Sequence, residues 1–179
     1  MKKINWFIVL ISYNLFASRP DILAQWQKKF RYILIDEFQD INKIQYDVIR
    51  MLAQPENNLF AVGDDDQAIY GFRGADSELM LRFGEDFPGA EQILLDINYR
   101  STSNIVKNSL KVIRNNEKRY DKELKAYREG GACLHVQEVK DPAEEADYVL
   151  DEIEACMQSG LKPEDIAVLF RIHTDARPV

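Results

Sequence analysis

Residues 31–40 read RYILIDEFQD, and this stretch decides the fold that the rest of the chain implies. The large apolar residues before the acids predict a strand buried on both faces, as in a parallel sheet covered by helices. The strand ends in two carboxylates, Asp36 and Glu37, and Gln39 and Asp40 follow. Acids at the carboxyl end of such a strand lie in the crevice where open α/β sheets bind ligands. One carboxylate there can hold Mg²⁺ while its neighbour orients or deprotonates a water, as phosphoryl transfer requires.

A second apolar run, residues 59–62, ends at Gly63 and three aspartates. Between the two runs, apolar residues recur at three- and four-residue spacing from position 41 to 52 and predict an amphipathic helix that ends before Pro55. Strand, helix and strand at this spacing form a βαβ unit, whose strands are parallel. Both strands then end in acids at one edge of the sheet. This coincidence weakens the alternative that the acids only mark a return to solvent.

The remaining patterns continue the alternation of helices and strands. They predict helices at residues 4–16, 21–28 and 77–86, a helix capped by Ser101 or Thr102, and a helix that begins at Asp141 and ends at Gly160. They predict strands at residues 32–35, 92–97, 133–139 and 166–170, with a charge-rich loop at 115–131. The sequence therefore predicts an α/β protein with a parallel sheet.

The composition is that of a folded globular protein, with 179 residues of which 46% are hydrophobic and 30% are charged. A net charge of −7 argues against a whole-surface grip on nucleic acid, although a local basic groove remains open. The two cysteines, Cys133 and Cys156, are isolated, so we expect a reduced cytoplasmic protein. The apolar run at 6–11 is too short to span a bilayer, and we expect a buried helix and no membrane partner.

Residues 63–76, GDDDQAIYGFRGAD, combine glycines with polar and aromatic side chains. The glycines permit a tight, non-helical path. Gln67 can donate to or accept from a phosphate or a water. Tyr70 and Phe72 are aromatic platforms beside Arg73, which is the mixture that single-stranded nucleic acid binding uses. The alternative is that the aromatic side chains only pack against the sheet.

Three ordered stretches resemble motifs of the superfamily 1 DNA helicases of the UvrD, Rep and PcrA type. DEFQD at 36–40 is similar to motif II of that family, GDDDQAIYGFRGA at 63–75 to motif III, and NYRS at 98–101 to motif IV. The resemblance implies a RecA-like, P-loop NTPase-type architecture in two incomplete lobes. Residues 1–97 would be the later half of the first motor domain (1A), and residues 98–179 the first part of the second (2A).

The resemblance also implies a role for each matching residue at the nucleotide. Asp36 would hold the Mg²⁺ of Mg-ATP, and Glu37 would be the base that activates the attacking water. Gln67 would sense the γ-phosphate and couple it to the DNA groove. Tyr99 would stack on adenine, and Arg100 would reach the γ-phosphate from the second motor domain. A cation that arrives across a cleft stabilises the transferring phosphoryl group only when the cleft closes.

The resemblance assigns single-stranded DNA contacts to Tyr70, Phe72 and Arg73, with the aromatic rings stacking on bases. Phe72 stands where tryptophan is common in the family, so stacking should survive in weaker form. Ala68 replaces the usual serine and loses a hydroxyl contact.

The motifs that the family carries before and after these stretches do not occur in the sequence. No G-x-x-x-x-G-K-[ST] loop is present, so the expected cradle for the phosphates is missing. We therefore expect an internal part of an ATP-dependent 3′-to-5′ DNA helicase or translocase of DNA repair or replication, inactive as an isolated chain. The intact parent would use ATP, Mg²⁺ and single-stranded DNA, and exposed sheet edges would allow self-association.

Two other functions remain open from the sequence. The chain could be a non-enzymatic module, derived from a helicase, that binds DNA or a partner protein. It could also be a metal-dependent nuclease that uses Asp36, Asp40 and Asp64 in a two-metal arrangement. The basic residues between 107 and 128 fit either a solvated face or a contact with the DNA backbone.

Overall fold

The computed structural model describes residues 6–171, which fall into two compact units divided between Ala132 and Cys133. The helices of the first unit are α1 (Trp6–Ser18), α2 (Pro20–Lys29), α3 (Lys43–Ala53), α4 (Glu78–Leu81), α5 (Phe83–Asp86) and α6 (Ser103–Ile113). Its strands are β1 (Ile33–Ile35), β2 (Leu59–Ala61), β3 (Ile97–Thr102) and β4 (Lys125–Arg128). The mixed helices and parallel strands confirm the predicted α/β class.

The predicted βαβ unit is present as β1, α3 and β2. The two strands are parallel, with Ile33 opposite Leu59 and Ile35 opposite Ala61. A capping box begins α3, because the Asn42 side chain accepts from the backbone N–H of residues 44 and 45 and the Gln45 side chain accepts from Asn42 N. This cap fixes the start of the helix immediately after the acids that follow β1.

One face of the β1–β2 pair lies on the hydrophobic core. The core contains six buried side chains: Phe38, Ile41, Tyr46, Ala53, Leu79 and Phe87. Ile33 and Ile35 pack against it, whereas Leu34 between them is 75% exposed. The prediction that the first strand is buried on both faces is therefore wrong for the part of the chain that the structure describes. Successive side chains of a strand point to opposite faces, and only one face is covered here.

The second parallel pair differs from the sequence prediction. The strand predicted at 92–97 lies instead at Ile97–Thr102, and it pairs with β4 inside the predicted loop. Ile97 lies opposite Lys125 and Thr102 opposite Arg128. The register shifts between them. The apolar residues at 93–95 are exposed and form no strand, because the hydrogen-bonding partner lies beside the polar residues that follow them.

Two predicted helices also need correction. The segment predicted as one helix at 77–86 forms α4 and α5, because Arg82 leaves helical backbone angles with a φ of −95° and a ψ of 11°. The helix predicted at 4–16 is present as α1, but most of its apolar side chains are exposed instead of buried. Its predicted start at residues 4–5 lies outside the described residues.

The second unit contains the helix α7 (Pro142–Gln158). The Asp141 carboxylate caps it by accepting from Ala143 N and Glu144 N, and Gly160 follows its end with a φ of 102°. The start at Asp141 and the end at Gly160 that the sequence predicts for this helix are therefore confirmed. The predicted strands at 133–139 and 166–170 do not form, and Val136 is 98% exposed. A strand requires a paired neighbour, and no described residue pairs with these segments.

No single helix within residues 6–171 has the length and apolar character needed to cross a membrane. One pair of helices in the described part of the chain passes on length and composition, Phe7–Ser18 with Pro20–Lys29, and it is bent by 113°.

Candidate functional site

The candidate site lies at the carboxyl edge of the β1–β2 pair. Hydrogen bonds continue beyond the strands, since Val62 N donates to Ile35 O at 2.8 Å and Phe38 N donates to Val62 O at 2.9 Å. Asp36 directly follows β1, and Asp64 follows β2 after two residues. The structure thus brings the two acids to the same edge of adjacent parallel strands, as the sequence predicts.

The backbone turns sharply between Asp36 and Glu37. Glu37 has a φ of 53° and a ψ of 46°, a left-handed conformation that a residue other than glycine seldom adopts. The Asp36 carboxylate supports the turn, because its Oδ1 accepts from Glu37 N at 3.0 Å. Such strained residues cost about 1–3 kcal/mol and cluster at functional sites.

Gln39 connects the segment that follows β1 to the segment that follows β2. Its side chain is almost fully buried, with 1% of its surface exposed. Its Nε2 donates to Glu37 Oε2 at 2.8 Å, and its Oε1 accepts from Asp64 N at 3.0 Å. The glycine at 63 makes room for this bridge, since a Cβ there would lie 2.6 Å from Gln39 Oε1. In the sequence, Gln39 only follows the two acids, and its burial and its bridging contacts cannot be predicted from that position.

Asp64 extends this bridge to Gln67. Gln67 Nε2 donates to Asp64 Oδ2 at 2.7 Å. Glu37, Gln39, Asp64 and Gln67 therefore form a continuous series of contacts, which we call the acid–amide chain. Burial acts to raise the pKa of Asp64, but hydrogen bonds from Lys122 and Gln67 lower it on balance. Asp64 thus stays a carboxylate that can hold the Gln67 amide.

Asp64, Asp65 and Asp66, which we call the aspartate triplet, are paired with two cations that follow α6. Lys122 Nζ donates to Asp64 and Asp65 and lies 3.2 Å from Asp66 Oδ2. Arg119 donates two hydrogen bonds to Asp66, at 2.8 and 2.7 Å. These bonds lower the pKa of Asp66, with Arg119 contributing most. This pairing cannot be predicted from the sequence, because the partners are more than 50 residues apart.

The triplet is also the one group of three or more potential metal-ligating side chains among residues 6–171 whose ligand atoms lie close together. Asp36 and Asp40 are not part of it, so the arrangement expected for a two-metal nuclease is not formed there. Burial raises the pKa of Asp40, and the charge of Glu37 raises it further. Asp40 Oδ1 is buried and has no hydrogen-bond partner within the described chain.

The predicted DNA-contacting side chains cluster on the loop after the triplet, where Phe72 and Arg73 are exposed and Tyr70 is half-buried. The ring centroids of Tyr70 and Phe72 lie 6.0 Å apart. The Arg73 guanidinium lies 4.8 Å from the Tyr70 centroid and 5.2 Å from that of Phe72. Phe72 is 78% exposed, so it does not pack against the sheet. We call Tyr70, Phe72 and Arg73 the aromatic loop.

Tyr99 and Arg100 lie on β3 and do not join the site at the β1–β2 edge. The exposed Tyr99 ring contacts Tyr127 at 5.1 Å between centroids. The Arg100 backbone is held by Asn98 and Arg128, while its side chain is exposed. Within residues 6–171, no hydrogen bond or ion pair connects Tyr99 or Arg100 to Asp36, Glu37 or Gln67.

The helices alternate with short parallel strands, and acids collect at the carboxyl edge of the β1–β2 pair, which defines this chain as an α/β protein. Comparison with family models then gives the family. The UvrD/REP helicase N-terminal domain matches residues 6–88, and the UvrD-like helicase C-terminal domain matches residues 93–179. The chain belongs to the UvrD/REP helicase family.

Curated relatives agree with this family. The chain is 48% identical over 167 residues to the putative ATP-dependent DNA helicase YjcD of Bacillus subtilis, covering 93% of this chain and 22% of that protein. It is 42% identical over 170 residues to the ATP-dependent DNA helicase PcrA of Staphylococcus epidermidis and 41% identical to that of Staphylococcus aureus, covering 95% of this chain and 23% of each relative. The chain therefore spans less than a quarter of the length of these relatives.

Proposed function

We propose that this chain is part of the ATP-hydrolysing motor of a 3′-to-5′ DNA helicase or translocase. Residues 1–97 would belong to the first motor domain and residues 98–179 to the second. The observation that carries the proposal is the acid–amide chain, which connects Glu37 to Gln67 at one sheet edge. The relatives named as ATP-dependent DNA helicases support it over the part of their length that this chain matches.

The acids at the edge of β1 fit a magnesium ion. Asp36 is exposed, and its Oδ1 accepts from Glu37 N, while no described residue donates to Oδ2. Mg²⁺ typically takes one or two carboxylates and receives its other ligands from phosphates and water. Asp36 would therefore hold the ion of Mg-ATP, and the bound ion would neutralise charge on the phosphates.

Glu37 and Gln67 would act on the attacking water and on the γ-phosphate. Gln39 holds Glu37 Oε2, so that Oε1 remains available to accept a proton from a water molecule. The Gln67 amide donates a hydrogen bond to Asp64, and this bond orients the Gln67 side chain at the same edge. Preorganised groups of this kind stabilise a transition state without reorganising during the reaction.

Tyr99 and Arg100 would complete the site from the second motor domain. Both side chains are exposed on β3, where Tyr99 can stack on adenine and Arg100 can approach the γ-phosphate. An arginine that arrives on closure makes hydrolysis depend on the relative position of the two motor domains. This dependence is what a translocase needs to couple hydrolysis to movement.

The proposal is tested by a chimera in which this chain replaces the matched residues of Staphylococcus aureus PcrA. We expect DNA-stimulated ATP hydrolysis that the Glu37→Gln variant reduces by about 10²-fold or more, because the water loses its base. Glu56→Gln is the matched control, since Glu56 is an exposed acid on the loop after α3. A chimera whose hydrolysis survives Glu37→Gln unchanged would refute the assignment.

The isolated chain is expected to hydrolyse no ATP, because its sequence contains no phosphate-binding G-x-x-x-x-G-K-[ST] loop. The measurement is phosphate release with and without single-stranded DNA. DNA-stimulated release that disappears in Glu37→Gln would contradict this expectation.

A second candidate function, DNA binding without hydrolysis, is favoured by the exposed aromatic loop. Stacking on an aromatic side chain contributes about 1–3 kcal/mol per base. We therefore expect Phe72→Ala to weaken binding of a labelled single strand by roughly 5- to 150-fold, and binding to weaken with salt. Ile69→Ala is the control, because Ile69 is exposed on the same loop but has no ring. Equal affinities for the two variants would exclude stacking by Phe72.

A further inference from the structure

The segment of residues 118–122, which we call the return segment, lies between α6 and β4 and runs back to the edge of β2. The return segment forms no helix or strand, and its position is set by hydrogen bonds and ion pairs to other residues. Tyr120 N donates to Asp65 Oδ2 at 2.7 Å, and its hydroxyl donates to Met80 O at 2.6 Å. Together with the ion pairs of Arg119 and Lys122, these bonds hold the return segment on the aspartate triplet.

Two of the three cations of the return segment, Arg119 and Lys122, are not part of a solvated basic face. Only 6% of the Lys122 side chain is exposed, and the Asp65 side chain that it contacts is almost fully buried. Three adjacent carboxylates repel one another, and burial makes each charge costly without a partner. Lys122 and Arg119 supply these partners, so they are committed to the triplet and not to a DNA phosphate.

The position of Lys122 determines how Asp64 presents itself to Gln67. Lys122 Nζ donates to Oδ1 of Asp64, and Gln67 Nε2 donates to Oδ2 of the same carboxylate. Oδ1 also accepts from Asp66 N at 3.1 Å. A carboxylate engaged at both oxygens has one orientation, so the group that holds Oδ1 also sets where Oδ2 offers a bond.

We infer that Lys122, assisted by Arg119, is a positioning residue for Gln67 and acts through Asp64. The role of Gln67 at the γ-phosphate rests on the proposed function, whereas its placement by Lys122 does not. Residues 118–122 belong to the part proposed as the second motor domain, and Gln67 belongs to the part proposed as the first. The contact therefore connects the γ-phosphate sensor to the other half of the motor without passing through the nucleotide.

The full 179-residue chain, labelled with ¹⁵N and ¹³C, provides the first test. In Lys122→Met, we expect the side-chain amide resonances of Gln67 to move and Asp64 to titrate at a higher pH than in the unsubstituted chain. Lys122→Arg should restore both signals, because it keeps the charge. Lys118→Met is the matched control, since Lys118 pairs with Glu78 in solvent and should leave Gln67 unmoved. The exposed amide of Gln25 reports any general change.

The unsubstituted chain gives a test that requires no folded variant. The carboxyl carbons of Asp64 and Asp66 are followed by NMR as the pH is lowered, with Arg119 and Lys122 as the cations that face them. The Gln67 side-chain amide should follow the midpoint of Asp64. An amide that does not respond when Asp64 is protonated, or that is unchanged in Lys122→Met, would overturn the inference.

The chimera with PcrA separates this inference from the proposed function. There Lys122→Met should lower kcat by about 10- to 100-fold, as a misplaced group does, with little change in the KM for ATP. Full activity in Glu37→Gln would defeat the proposed function and leave the placement of Gln67 untouched. Full activity in Lys122→Met together with loss in Glu37→Gln would defeat the inference alone.

Discussion

The two parallel strand pairs present their functional residues in opposite ways. At the β1–β2 edge, Glu37, Gln39, Asp64 and Gln67 are joined by side-chain hydrogen bonds. On β3, Arg100 is exposed, and within residues 6–171 its hydrogen bonds involve its backbone and not its side chain. The first edge is thus already organised, whereas the second is open to a ligand or to another surface.

The cause of this difference is the packing beneath each pair. Ile33, Ile35, Leu59 and Ala61 rest on the buried core, which fixes the backbone from which the acids project. No residue of β3 or β4 belongs to that core within the described chain. Groups that activate a water need a rigid support, whereas groups that arrive on closure must be free to move. Under the proposed function, the β1–β2 pair would carry the preorganised half of the motor site, and β3 would carry the half that arrives on closure.

The largest expected effect is on the support of the organised edge. Phe38 is almost fully buried and packs edge-to-face with Tyr46 and Phe83, at 6.0 and 5.4 Å between centroids. Phe38→Ala should lower the free energy of unfolding by about 3–5 kcal/mol. Tyr127→Ala, on the exposed β4, should change it by less than about 0.5 kcal/mol. Urea denaturation followed by circular dichroism measures both, and similar losses would break the comparison.

A smaller effect is expected when the charges of the organised edge are titrated. The pKa of Asp66 is lowered in the folded chain, so its stabilisation is present above the unfolded value near 4 and is lost as the pH falls through the folded value. Asp66→Asn should cost about 1.5–3 kcal/mol at pH 7, since hydrogen bonds to charged groups contribute that much. The difference from the unsubstituted chain should shrink towards pH 2.

Glu78→Gln is the control for this titration. Glu78 pairs with Lys118 in solvent, where ion pairs contribute little, so its stability curve should follow that of the unsubstituted chain more closely. An equal pH dependence of Asp66→Asn and the unsubstituted chain would mean that Arg119 does not stabilise the fold through Asp66.

Local signals predicted the elements whose cause lies within a few residues. The periodicity of α3, the Asp141 cap of α7 and the run of β1 are each written in a short stretch, and each is present. Strand β4 was missed because KAYR contains too few apolar residues to signal a strand. It forms because Ile97–Thr102 lies beside it, and such long-range pairing leaves no trace in local composition.

The candidate site likewise combines a feature that the sequence predicts with contacts that the sequence does not predict. The sequence predicts that Asp36 and Asp64 share an edge, because parallel strands place their carboxyl ends together. It cannot predict that Gln39 is the bridge between Glu37 and Asp64, or that Lys122 returns to Asp64 from 58 residues away. These contacts depend on the tertiary path of the chain. The roles of Asp36, Glu37, Gln67, Tyr99 and Arg100 in the reaction stay predictions.

The smallest expected effect concerns the space beside Gly63 that the Gln39 side chain occupies at the β1–β2 edge. A methyl group on residue 63 would lie 2.6 Å from Gln39 Oε1 and 3.1 Å from Phe38 N, so one of them must move. Gly63→Ala should therefore cost about 1–3 kcal/mol of unfolding free energy, as overpacking does. It should also shift the backbone amide resonance of Asp64, whose hydrogen bond to Gln39 would lengthen.

Gly84 provides the matched control, because a Cβ there meets nothing within 4 Å and the residue lies in the short helix α5. Gly84→Ala should raise the unfolding free energy by about 0.5–1 kcal/mol, since alanine loses less backbone entropy than glycine. If Gly63→Ala were as stable as Gly84→Ala and left the Asp64 resonance in place, the Gln39 bridge would not be what organises this edge.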